Sequence, residues 1–278
     1  MATWTAGVVG TGVWARAAHI PMLIRTSGVS LIGVWSRNLR AAHSLAKTYG
    51  IRAFSSYEEL LAACDLVAYV VPPSAQPGLA LRAARLGKAL ILEKPLAASQ
   101  AEASSLCSAV KRADCSTMMM LMFRFLPQLR ELSQAHREIS PVSVSVRLRF
   151  PPPSGWRSSL SPWLEAGAHV IHIAEQLLGP VVAVDHEQKD QHSIRVSLHH
   201  VSTAVSRGEL VSTASPSLPN SHGAVVTCDS SGRTRSAGLY FEDFDSALQA
   251  MADHLRRVLR GESHDLDAEY GLHLQRFL

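Results

Sequence analysis

Over the first 122 residues the chain alternates short apolar runs with longer amphipathic stretches. The runs are "TAGVVG" (5–10), "SLIGVW" (30–35), "DLVAYVV" (65–71), "KALILE" (88–93) and "STMMMLMF" (116–123). Apolar runs of this length, bounded by turn residues, predict strands buried on both faces. Between them, "NLRAAHSLAKTYG" (38–50), "YEELLAACD" (57–65), "QPGLALRAARLG" (76–87) and "SQAEASSLCSAVKRAD" (99–114) repeat their apolar residues at helical spacing. Regular strand–helix alternation predicts a doubly wound parallel sheet with helices on both faces. Gly50 and Gly87 can close helices, and Ser55 or Ser56 can cap one.

From residue 123 the rhythm changes. A helical pattern at "PQLRELSQAHRE" leads into "VSVSVRLRF", whose alternation is that of a half-exposed strand, and then into Pro151, Pro152 and Pro153. A second helix is predicted at "WLEAGAHVIHIAEQLLG". The strand patterns "PVVAVDHEQ", "SIRVSLHHVST", "GELVSTAS", "GAVVTCDSS" and "RSAGLYFE" follow one another, and two helices at "DSALQAMADHLRRVLRG" and "DAEYGLHLQRF" close the chain. Consecutive strands predict a largely antiparallel second sheet. The expected division is therefore 1–122 and 123–278, two α/β domains closely packed, with no repeat or low-complexity linker between them.

Composition narrows the class. With 278 residues and 47% hydrophobic content, the chain can fill one large core or two ordinary ones. Its apolar stretches fall far short of the roughly 20 residues that span a bilayer, and no export signal is evident at the start, so a cytoplasmic protein without a membrane partner is expected. Cys64, Cys107, Cys115 and Cys228 are irregularly spaced, as reduced core cysteines would be. Lys plus Arg exceeds Asp plus Glu by 27 − 23, or +4. These basic residues are scattered rather than gathered into a stripe, which argues for a solvated surface and against a nucleic-acid partner.

The glycines carry the first chemistry. In "GVVGTGVWA", Gly10, Gly12 and Ala15 match G-x-G-x-x-G/A between a predicted strand and a helix. Such a turn lets the backbone approach a pyrophosphate at a helix N-terminus, and the small third residue permits close helix packing. A bare structural turn is the alternative. NAD sites commonly carry Asp or Glu at the end of the second strand for the ribose 2′-hydroxyl, whereas "GVWSRN" offers Ser36 and Arg37. Arg37 can pair with a 2′-phosphate, which favours NADP with NAD as the second possibility; a solvent-facing Arg37 is the plainer reading. Trp14 can cover the cofactor or pack on the first helix.

"GVVGTGVWARAAHIPML", "VVPPSAQPGLALRAARLGKALILEKPLA", "LEAGAHVIHIAEQLLG" and the ending "HLRRVLRGESHDLDAEYGL" together resemble the Gfo/Idh/MocA oxidoreductase family over nearly the whole chain, with Glu93-Lys94-Pro95 the most specific element. The resemblance implies a Rossmann-type dinucleotide-binding domain. It also implies a C-terminal substrate domain whose open sheet mediates homodimers or homotetramers, and reversible hydride transfer on sugars, cyclitols or related small molecules. The cofactor-binding set it implies is Gly10, Gly12, Val13, Trp14, Ser36, Arg37, Pro72, Glu93 and Lys94. Lys94 ends a predicted buried strand, where doubly wound sheets bind their ligands, and its ammonium can bridge the cofactor ribose and a substrate oxygen.

Glu165, His169 and His172 stand at i, i+4 and i+7, on one face of the second predicted helix. The family pattern is Asp, three residues, then His. Here Glu165 replaces the Asp, His169 matches the His, His172 stands where a second Asp is frequent, and "SSLSPWLEAG" replaces a glycine-rich approach. The expected catalytic set is Lys94, Glu165 and His169, with His169 exchanging a proton and Glu165 orienting it. A nucleotide-binding regulatory protein that keeps the fold without turnover is the alternative function. Three ligands on one helical face also raise a metal site, but no zincin spacing accompanies them and no metal is expected. Met118, Met119, Met120 and Met122 read as core, Arg124 stays outside the expected site, and Trp156 and Arg157 suit a pocket or plain loop packing equally.

Overall fold

β1 (Trp4–Val9) lies inside a six-stranded parallel sheet with β2 (Val29–Trp35), β3 (Arg52–Ala53), β4 (Leu66–Tyr69), β5 (Ala89–Leu92) and β6 (Thr117–Met119), in the order β3-β2-β1-β4-β5-β6. The computed structural model describes residues 3–137, 143–150, 160–190, 193–202, 204–212, 223–230, 233–240 and 244–278. The order reverses at β1, which pairs with β2 on one side and β4 on the other, and this makes the switch point of the sheet. Every residue of β4 and β5 is buried, as strands covered on both faces require.

The crossovers run through α1 (Ile20–Arg25), α2 (Leu39–Tyr49), α3 (Tyr57–Ala63), α4 (Gln76–Ala84) and α5 (Gln100–Arg112). Asn38 caps α2 by accepting the Ala41 N–H, and Gly50 ends it at φ +64°. Ser56, rather than Ser55, caps α3 through the Glu59 N–H. The expected strand at 116–123 is shorter in the structure. β6 stops at Met119, because its partner β5 ends at Leu92, and a 3₁₀ turn follows at Met122–Phe125.

The second sheet contains β7 (Ser143–Phe150), β8 (Val181–Asp190), β9 (Ser193–His200), β10 (Val205–Ser212), β11 (Gly223–Ser230) and β12 (Arg233–Tyr240), ordered β12-β11-β7-β10-β9-β8. All its pairings are antiparallel except β7 with β10. α6 (Pro127–Arg137) precedes β7, and α7 (Pro162–Leu178) lies across β7, β10 and β9. Val144, Val146, Ile194, Val196 and Leu198 are buried, whereas the alternate residues Arg147 and Arg195 are exposed. Gly208 leaves room for this packing, since a Cβ there would lie 2.6 Å from the Val170 side chain.

α8 (Phe244–Val258) and α9 (Ala268–Gln275) complete the chain. Contacts divide it into Met1–Met120 with Leu248–Arg276, and Leu121–Ala247 with Phe277–Leu278. The sequence boundary at 122/123 gave all of the C-terminal helices to the second domain; residues 248–276 instead complete the first unit. The Met119 N–H donates to Leu266 O at 2.7 Å, the Ala268 N–H to Thr117 Oγ1 at 2.9 Å, and α9 packs on α5. Among the described residues, no helix is long and apolar enough to cross a membrane.

Candidate functional site

After β1 the chain turns at Gly10 with φ +115°, and the Gly10 N–H donates to Trp35 O at 2.9 Å. A Cβ at Gly10 would sit 2.2 Å from Val70 O, so no other residue fits between the ends of β1 and β4. Nothing lies within 4 Å of the corresponding point on Gly12, which leaves that face of the turn open. Residues 13–25 are helical, with a π-turn at Ala15–His19 in which the Ile20 N–H reaches Ala15 O. Ala15 is buried, Val13 is 76% exposed and Trp14 is half-buried. A turn closed to Cβ atoms on one side and open on the other suits the backbone approach that a pyrophosphate requires.

At the end of β2, Ser36 is half-buried and its Oγ accepts the Asn38 N–H at 3.2 Å, while Arg37 is exposed. Residues 36–38 contain no carboxylate. Past the end of β4, the Pro72 carbonyl accepts the N–H groups of Ala75 and Gln76 and so starts α4.

The E-K-P loop follows β5 and is held from two sides. Gln76, fully buried, donates Nε2–H to the carbonyls of Glu93 and Leu96, both at 2.9 Å, and its Oε1 accepts the Glu93 N–H at 2.8 Å. His19 Nε2 lies 2.8 Å from Glu93 Oε1, and Glu93 Oε2 accepts the Lys94 N–H at 3.2 Å. The Glu93 side chain is 12% exposed, Lys94 is half-buried, and the Lys94–Pro95 peptide is cis.

The second set belongs to the other unit. Ser161 caps α7 by accepting the Leu164 N–H at 3.1 Å. Trp163 in its first turn donates Nε1–H to Phe277 O at 2.6 Å. Gly167 makes space for that indole, because a Cβ there would come within 2.7 Å of the ring. Along the same helix Glu165 is half-buried, and His169 and His172 are buried. The His169 ring meets Phe123 edge to face, with centroids 4.8 Å apart. Among the described residues, no three His, Cys, Asp or Glu side chains converge as metal ligands would.

The polar frame around Glu93 escaped the sequence reading. His19 in "AAHIP" and Gln76 in "SAQPG" are polar residues among apolar neighbours, and that is the signal for buried, partnered groups. Arg124 is half-buried on the 3₁₀ turn. Trp156 and Arg157 lie outside the described residues.

Residues 4–121 match the family described as "Oxidoreductase family, NAD-binding Rossmann fold". An uncharacterized oxidoreductase, ORF334, of Rhizobium meliloti is 33% identical over 129 residues, which are 45% of this chain and 39% of that protein. Glucose-6-phosphate 3-dehydrogenase of Bacillus subtilis is 28% identical over 159 residues, 56% of this chain and 45% of that protein. The match thus spans less than half the length of these relatives. In fold the likeness extends further: the crystal structure of GenD2 from gentamicin A biosynthesis in complex with NAD superposes with a TM-score of 0.85 at 18% identity, covering 99% of this chain and 92% of that one. Residues 4–121, which contain the glycine turn and the E-K-P loop, are thus similar to the Gfo/Idh/MocA oxidoreductases with their NAD-binding Rossmann fold, and the likeness of the remaining residues is one of fold.

Proposed function

We propose that this protein is a nicotinamide-dependent dehydrogenase or reductase that prefers NADP and interconverts a hydroxyl and a carbonyl on a small, polar, sugar-like substrate. The observation that carries the reading is the E-K-P loop at the carboxyl end of β5, framed by His19 and Gln76 in the same sheet unit as a glycine turn that excludes a Cβ. Gly10, Gly12, Val13 and Trp14 are assigned to the pyrophosphate, Ser36 and Arg37 to the 2′-phosphate, and Pro72, Glu93 and Lys94 to the nicotinamide end. The similarity to glucose-6-phosphate 3-dehydrogenase supports the substrate class.

When bound, the reduced cofactor supplies a hydride to the carbonyl carbon. Lys94 polarises that carbonyl by donating a hydrogen bond from its ammonium to the oxygen. His169 delivers the proton that turns the developing alkoxide into a hydroxyl, and Glu165, one helical turn away, orients the imidazole. Oxidation runs the same transfers backwards. Copies of the chain are proposed to pair into dimers or tetramers through the face of the second sheet that carries Arg147, Arg195, Arg207 and Val225, all exposed.

Calorimetric titration with NADPH and NADH, on the native protein and Arg37→Ala, tests the cofactor assignment. The expected result is tighter NADPH binding that weakens about tenfold in the variant, as loss of a charge-assisted hydrogen bond implies, with NADH within about twofold. Failure of both nucleotides to bind at millimolar concentration would overturn the reading. Binding without turnover on sugars, glucose 6-phosphate, cyclitols and dihydrodiols would favour a nucleotide-binding regulatory protein, the second reading, which Glu165 and His172 at the family's aspartate positions support.

A further inference from the structure

His19 is fully buried at the end of the π-turn, and the helix that carries it begins directly after the glycine turn. Its one anchor among the hydrogen bonds described is Glu93: Nε2 lies 2.8 Å from Oε1, while Nδ1 is buried without a partner. An ionised carboxylate only accepts, so Nε2 carries the proton of this bond. The other oxygen of the same carboxylate accepts the Lys94 N–H at 3.2 Å. One carboxylate is thus held between an imidazole on the nucleotide-side helix and the backbone of the lysine.

His19 is the last residue of the π-turn. A π-turn adds one residue to the ring closed by its hydrogen bond, here from the Ile20 N–H to Ala15 O. Each residue of a regular α-helix turns the side chain by about 100°, so the extra residue re-aims everything that follows it. Gln76 holds the main chain of Glu93 from α4, and His19 holds its side chain. The loop before Lys94 therefore has two independent fixings, of which only the one from His19 leads back to the glycine turn.

We infer that His19 is a positioning residue: through the Glu93 carboxylate it fixes the Lys94 backbone relative to the helix that follows the glycine turn. The inference rests on the role proposed for Lys94. It also makes a demand on side-chain length. Glutamine can set its amide Nε2 at about the reach of the imidazole Nε2, whereas asparagine ends too short.

Hydrogen–deuterium exchange of the full chain provides the test, read at the Glu93 and Lys94 amides in His19→Asn, His19→Gln and His19→Ala. In His19→Asn those amides are expected to exchange about tenfold faster, the loss of one hydrogen bond to a charged group, with β1 and β5 within about twofold of the native protein. His19→Gln is expected to restore the native rate. His19→Ala should follow His19→Asn; should it not fold, the Asn and Gln pair decides the matter alone. Native exchange at Glu93 and Lys94 in His19→Asn, or equal acceleration in the Asn and Gln variants, would overturn the inference. Turnover by Lys94→Ala bears on the role of the lysine, whereas exchange reports its position with or without a substrate, so the two ideas fail separately.

Discussion

Asp65 ties the start of β4 to the start of β1. Its Oδ2 accepts both the Thr5 N–H at 3.0 Å and the Thr5 hydroxyl at 2.7 Å, and these bonds hold its carboxyl below the usual carboxylate range. A folded-state pKa depressed below the unfolded value, about 3.9, contributes stability that is present above that value and lost as pH falls through the folded one. Thr5→Val removes the hydroxyl donor and keeps the backbone donor. The urea midpoint of Thr5→Val should lie below that of the native protein at pH 7, and the gap should narrow below about pH 4. A gap independent of pH would show that the hydroxyl acts by packing alone. The buried thiols follow the opposite rule, since desolvation pushes Cys64 up to about 11 and Cys107 up to about 12. Both stay protonated near neutrality; Cys64, Cys107 and Cys228 are buried as expected of core residues, whereas Cys115 is only half-buried.

Among the elements, α4 does more than connect β4 to β5. Its first residue, Gln76, satisfies two backbone carbonyls and one N–H of the loop after β5, all with a single amide. Gln76→Leu preserves the approximate volume and strands those three groups, one buried and two partly buried, at a cost of about 2–4 kcal/mol. Urea unfolding with an unchanged m-value and a lowered midpoint is the expected readout; a midpoint equal to that of the native protein would mean that water replaces the amide. Most strands and helices were legible in the sequence because they depend on local patterning; the two-residue β3 was not, because it has no apolar run and exists only through its pairing with β2. Asn38, Ser56, Ser99 and Ser161 all act as caps within a few residues of their partners. The strand at the methionine run is shorter than its apolar content predicts, because where β6 ends depends on its neighbour β5.

For the whole molecule, the decisive feature is that the chain leaves the first unit at Met120 and returns to it at Leu248. α9 packs on α5 and β6, and Cys107 Sγ and the Ala97 N–H reach Ala268 O and Gln275 Oε1 at 2.9 and 3.2 Å. A fragment of residues 1–120 should therefore bind a hydrophobic dye and unfold with little cooperativity, whereas the same fragment joined to residues 248–276 should melt in a single transition. Equal melting of the two fragments would show that the returning helices are dispensable. The sequence by itself determined the parallel sheet, its largely antiparallel successor, the glycine turn and the E-K-P loop, because apolar period, glycine conformation and contiguous motifs are local properties. Only the tertiary structure decided which unit owns the last helices and what frames Glu93. Those outcomes depend on contacts between residues 74, 17 and 151 positions apart, and no local pattern encodes a partner at such a distance.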